Sequence, residues 1–226
     1  MTLNPVFTPT LVRQAVRAAG DAYKEPLTHV AGESEGLLTN YGDGWHFGIQ
    51  GTEFDGSGII FGDMLIDGLA YPCKHPDLGW LHKGFLMGRL VPDWNRGGAR
   101  GLFHASYADL VGLDAPYVID GHSKAGAEAP IMGGLMTLAG YPPKAIVTVD
   151  APKFAIGDQL AEVLKDVPVL HIRIRPSPIN KVPLTPWWHH GPGDVLELGP
   201  PFKGLGDIRA HKIKRIAALV DAHFDN

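Results

Sequence analysis

Ser123 stands in Gly121-His122-Ser123-Lys124-Ala125-Gly126, directly after the apolar run Tyr117-Val118-Ile119-Asp120. An apolar strand that feeds Gly-x-Ser-x-Ala and then a small-residue helix is the setting a nucleophile elbow requires. The sharp turn leaves no room for side chains two positions to either side of the serine, hence Gly121 and Ala125. It lifts Oγ to the C-terminal edge of a sheet, where the hydroxyl is expected to be exposed and the N–H of Lys124 can stabilise an oxyanion. A serine so placed, given a base, attacks a carbonyl carbon and forms an acyl-enzyme. The plainer reading of the same residues is a strand-to-helix turn with Ser123 as an ordinary N-cap. On the motif alone the two readings stand level.

Two carboxylates sit at strand ends. Asp120 precedes the elbow, and a semi-buried acid needs a partner, so an ion pair with Lys124 or Lys153 is expected there. Asp150 closes the run Ala145–Asp150, where a turn-former that caps its own backbone is one reading. A metal centre built from Asp120, Asp150 and a histidine lacks the ligand spacing such sites show. The chemistry of the serine calls for no metal and no cofactor.

These groups need elements to carry them. Trp45–Gln50, Tyr117–Asp120, Ala145–Asp150 and Leu170–Ile174 read as strands, and the last two are rich in Val, Ile and Leu, as in strands buried on both faces of a parallel sheet. Helical patterns lie at Leu102–Val111, Ser123–Ala139 and Asp158–Lys165. An amphipathic helix is expected near the N-terminus, capped by Thr8, opened by Pro9 and closed at Gly20. The alternation favours an α/β fold, a three-layer sandwich around a mostly parallel central sheet.

A chain of 226 residues with 45% hydrophobic composition can bury one sizeable core, and a single domain over 1–226 is the expectation. The net charge of −4 lacks the basic excess of proteins that track phosphate backbones, so no nucleic-acid partner is expected. Cys73 is the only cysteine, which excludes an intrachain disulfide. No run of about 18 apolar residues occurs, so no transmembrane segment is expected. The opening MTLNPVFTPT has neither the basic flank nor the apolar stretch of a secretory signal, and the chain reads as cytoplasmic, as a processed precursor also would.

From about residue 45 to 215 the chain resembles the class 3 lipase family, the fungal-type triacylglycerol lipases and their bacterial and plant relatives. Phe47-Gly48-Ile49-Gln50-Gly51-Thr52-Glu53 is similar to that family's Phe-Arg-Gly-Thr/Ser oxyanion segment, and Leu81-His82-Lys83-Gly84-Phe85 to its Val-His-x-Gly-Phe. Gly121–Gly126 stands where the family has Gly-His-Ser-Leu-Gly-Gly, and Thr148–Lys153 resembles Thr-Phe-Gly-x-Pro-Arg. Asn180–Pro186 is similar to Asp-x-Val-Pro-x-x-Pro, with His189-His190 following. The resemblance implies an α/β-hydrolase fold and hydrolysis of carboxylic esters, lipid or soluble, with Ser123 as nucleophile. It implies His211, in Ile208-Arg209-Ala210-His211, as the base, and Thr52 as an oxyanion-hole donor beside the Lys124 amide. His122 is then expected to pack under the elbow, and His82 and His190 to hold loops. The family's lid falls here within 54–80, whose Ile59, Ile60, Phe61, Met64, Leu65, Ile66 and Leu69 suit a short cover over the site and plain core packing equally. Contact with a lipid interface is a corollary, and oligomeric state is left open.

The departures bear on mechanism. Where the family carries its triad acid this chain has Asn180, an amide without the charge that stabilises imidazolium. Asp150 occupies a strand end where the family has glycine, and Val149-Asp150-Ala151-Pro152 is similar to the acid site of pancreatic-type lipases. Either Asp150 or Asn180 is the third member, or neither is. Gln50 for Arg, Lys124 for Leu and Ala125 for Gly complete a set of changes that also suits a rival reading, a hydrolase-like binding or scaffolding protein without activity.

Overall fold

The computed structural model describes residues 3–24, 26–32, 34–42, 44–51, 71–87, 97–201 and 208–225. The first helix, α1 (Pro9–Asp21), begins as its sequence dictates: Thr8 Oγ1 accepts the N–H of Leu11 at 3.2 Å and Pro9 takes a position that needs no donor. Leu11, Val12, Ala15, Val16 and Ala19 form its buried stripe. Gly20 does not end it, because the chain stays helical until the N–H of Ala22 has found Ala18 O.

Three strands follow, β1 (His29–Ala31), β2 (Ser34–Asn40) and β3 (Trp45–Gln50), and then β4 (Pro72–His75), β5 (Gly79–His82) and a short helix α2 (Lys83–Met87). Helix α3 (Gly98–Gly112) leads to β6 (Tyr117–His122), α4 (Lys124–Leu138), β7 (Ala145–Val149), β8 (Ala155–Ile156), α5 (Gln159–Val163) and β9 (Val169–Ile174). A turn of 3-10 helix at Ile179–Lys181, strand β10 (Asp194–Leu198), a second such turn at Ile208–His211 and helix α6 (Ile213–Phe224) complete the order.

Seven strands form one sheet in the order β1-β2-β3-β6-β7-β9-β10. The first three are antiparallel, and every pair from β3 to β10 is parallel. Side-chain alternation sends residues of each inner strand to opposite faces. Phe47, Ile49, Ile119 and Ile146 pack on one face with Ala127, Ile131 and Met132 of α4. Val118, Val147, Val149, Leu170 and Ile172 pack on the other with Val12 and Val16 of α1 and Ile216 and Val220 of α6. The expected three layers result, with a mostly parallel central sheet between helices. Strands β4, β5 and β8 form a small antiparallel sheet of their own.

Candidate active site

The parallel strands deliver their C-terminal ends to one edge of the sheet, where open α/β sheets build their sites. At the end of β6 the ladder runs one residue further, Ser123 N–H donating to Val149 O at 3.0 Å. The backbone then turns sharply: Ser123 adopts φ 62° and ψ −129°, a conformation L-residues rarely take, before α4 starts at Lys124. Glycine at 121 is obligatory, since a Cβ there would lie 2.2 Å from Ala125 O. The strand, the strained serine and the small-residue helix together form the elbow that the sequence anticipates.

His211 Nε2 lies 2.8 Å from Ser123 Oγ, and His211 Nδ1 lies 2.6 Å from Asp150 Oδ2. Asp150 follows β7, itself at positive φ (46°), and its N–H continues the ladder to Ile172 O at 2.7 Å. Its second oxygen, Oδ1, accepts from the side-chain amide of Asn180 at 2.8 Å and from the N–H of Ile174 at 3.2 Å. The Asn180 amide also donates to Ile174 O at 2.9 Å. Burial pushes the Asp150 carboxyl up, but hydrogen bonds and charge from His211, with further bonds from Ser177 and Asn180, outweigh it and hold it below the usual carboxylate range.

Of the residues expected to act together, the structure brings Ser123, His211 and Asp150 into one hydrogen-bonded line. Asn180 stands behind Asp150 and not beside the imidazole, because its amide is committed to the carboxylate and to Ile174 O. Ser123, His211 and Asp150 are all buried, which corrects the expectation of an exposed hydroxyl. The hydroxyl is turned inward, toward His211. Lys124 opens α4, so its N–H lies at the positive end of the helix dipole. Thr52 lies outside the described residues, as does the cover region up to residue 70. The described remainder of that interval holds β4 and the start of β5.

Asp120 takes a different partner from the two lysines expected. Asp120 Oδ2 pairs with His46 Nδ1 at 2.7 Å, both buried, because β3 and β6 lie side by side in register and point both side chains toward α1. Burial raises the Asp120 carboxyl, and the charge and hydrogen bond of His46 pull against that rise. Lys124 Nζ goes elsewhere, 3.2 Å from Glu128 Oε1 and 3.2 Å from Ser34 Oγ, and Lys153 Nζ donates to Pro183 O at 3.2 Å. His190 holds the acid loop, its Nε2 3.1 Å from Ala151 O, and His82 stacks on Phe85.

Sequence reasoning passed over Tyr23, whose hydroxyl lies 2.9 Å from His122 Nδ1. No motif marks it, and only its place just beyond α1, next to an amphipathic stripe, hinted that it approaches the sheet.

No family model matches the chain, and no curated protein sequence matches it. Solved structures do. The Lip2 lipase from Yarrowia lipolytica superposes with a TM-score of 0.62 at 16% identity, over 84% of this chain and 77% of that one. A lipase from Rhizopus microsporus var. chinensis gives 0.62 at 17% identity, over 97% of this chain and 88% of its own. A triacylglycerol lipase from Penicillium expansum gives 0.59 at 10% identity, over 89% and 82%. At these identities the likeness speaks for architecture, and the chain has the α/β-hydrolase fold that those fungal lipases share.

Proposed function

We propose that this protein is a serine carboxylic ester hydrolase working through an acyl-enzyme. The observation that carries the reading is the line Ser123 Oγ, His211 Nε2, His211 Nδ1, Asp150 Oδ2, with spacings of 2.8 and 2.6 Å, mounted on a strained elbow. The shared architecture with lipases, one of them named for triacylglycerol, supports an ester substrate with a lipid or soluble acyl group.

In this reading Ser123 Oγ attacks the ester carbonyl while His211 Nε2 takes its proton. Asp150 keeps the Nδ1 proton in place and stabilises the imidazolium. The Lys124 amide holds the developing oxyanion, with Thr52 as the second donor. His211 returns the proton to the departing alkoxide, which leaves as alcohol. Water, deprotonated by His211, then attacks the acyl-enzyme; the bond to Ser123 Oγ breaks, His211 returns the proton to that oxygen, and the carboxylic acid is released. The scaffolding alternative drew on four departures, at Gln50, Lys124, Ala125 and Asn180, and Asp150 beside His211 speaks against the last of them alone. Labelling with a fluorophosphonate probe tests the proposal: Ser123 should label, and Ser123→Ala should abolish both labelling and turnover of p-nitrophenyl esters. A folded protein that neither labels nor turns over would refute it.

A further inference from the structure

His211 is carried by a single turn of 3-10 helix, and its main chain is gripped by a side chain from the elbow itself: His122 Nε2 lies 2.7 Å from His211 O. A carbonyl oxygen only accepts, so the proton of His122 is on Nε2. Nδ1 is then an acceptor, and the Tyr23 hydroxyl donates to it at 2.9 Å. Burial, chiefly, and the neighbouring His211 push the His122 imidazole down to about 3, so it stays neutral and keeps this donor and acceptor arrangement. The two imidazoles lie against each other, with centroids 4.4 Å apart and planes tilted by 31°. The Tyr23 hydroxyl is also lodged against the end of β3. A Cβ on Gly51 would lie 2.3 Å from it and 2.4 Å from His122 O.

One phenol from the turn that follows α1 therefore touches the end of the oxyanion strand and the residue before the nucleophile, and reaches the base through one intervening ring. We propose that Tyr23 is a positioning residue: acting through His122, it fixes the main chain of His211 and so the aim of the imidazole at Ser123. The inference rests on the serine-hydrolase reading above. It gives Tyr23 no contact with substrate and no part in proton transfer. Its effect is on the fraction of molecules in which Nε2 and Oγ are aligned, which governs kcat and not ester binding.

Tyr23→Phe removes one oxygen and keeps the ring. With p-nitrophenyl acetate, kcat should fall about ten- to a hundredfold with KM unchanged, while the protein stays folded at the assay temperature with a thermal midpoint lowered by the loss of one buried hydrogen bond. Because Tyr23 acts through His122, the double variant Tyr23→Phe/His122→Gln should be no slower than His122→Gln alone. Parental kcat in Tyr23→Phe, a fall shared by KM, or additive losses in the double variant would each overturn the proposal. Nitrogen-15 NMR of the histidines gives a readout independent of turnover. His122 Nδ1 should resonate as a hydrogen-bonded, unprotonated nitrogen and shift on loss of the hydroxyl; an unmoved resonance overturns the link. If the parent protein neither hydrolyses ester nor labels at Ser123, the functional reading falls and the positioning role with it, while the nitrogen spectrum still decides the hydrogen bond.

Discussion

Asn180 donates its side-chain amide to Asp150 Oδ1 at 2.8 Å, while the other oxygen of the same carboxylate faces His211. The two residues that compete in the sequence for one place are thus consecutive members of a chain, the carboxylate next to the imidazole and the amide behind the carboxylate. Asp150→Asn should cost on the order of 10⁴ in kcat, since the amide brings no charge and favours the wrong tautomer. Asn180→Ala should cost about ten- to a hundredfold, the worth of one hydrogen bond to a charged acceptor. Asn180→Asp should also lose activity, because a second carboxylate against Asp150 forces a proton onto the pair. Steady-state kinetics of the three variants decide the matter; a gain in Asn180→Asp would contradict this arrangement.

Ser123 is held at φ 62°, and that strain is separable from catalysis. Ser123→Ala should be inactive, folded and still strained. Ser123→Gly should be inactive too, yet more stable than the alanine variant by about 1 kcal/mol, since relief of strain outweighs the added chain entropy. Urea denaturation of the two variants checks the order.

Acid should weaken the fold well before carboxylates titrate. Burial holds His122 and His190 down to about 3 and His171 down to about 4. In the unfolded chain each binds a proton near pH ~6.5, so between there and pH ~4 unfolding takes up protons and stability falls as pH falls. Each histidine contributes a slope of roughly 1.4 kcal/mol per pH unit in that window. Asp150 adds to the loss only lower down: its depressed carboxyl stabilises the fold above the ordinary value of about 3.9, and that stabilisation goes as pH drops through the folded value. The urea midpoint measured at pH 7, 6 and 5 should decline steadily; a flat midpoint would mean that these rings are charged in the native state.

The buried pair of Asp120 and His46 should matter for stability and little for chemistry. Asp120→Ala strands an imidazole in the core and should destabilise by about 3 kcal/mol, whereas kcat per folded molecule stays near the parental value. A double-mutant cycle should show strong coupling of Asp120 to His46 and weak coupling to Lys124.

The elbow was legible because its requirements are local: an apolar strand, small residues around Ser123 and a helix all lie within one stretch of sequence. The inner strands were legible for a similar reason, being short apolar runs bounded by turn residues. Strands β1, β2 and β10 were not, since they lie toward the sheet edges and mix polar with apolar residues. Partner choice was the harder problem. His46 and Asp120 are 74 positions apart and meet only through the register of β3 with β6. The choice between Asp150 and Asn180 turned on how two loops fold against each other after β7 and β9, which residue types alone leave open.

The pairing of α1 with α6 has a consequence for the order of assembly. Arg13 reaches Asp221 at 3.3 Å and also pairs with Asp225, across 212 positions of sequence, so the first and last described helices close a circuit around the sheet. Contacts of such separation form slowly, because a long stretch of backbone must be ordered before they are gained. His211 sits on the doorstep of α6, so its imidazole reaches Ser123 only as that closure completes. A refolding chain should therefore regain its helical signal ahead of the ester hydrolysis proposed for it, and a nascent chain should stay chemically silent until α6 has emerged and docked.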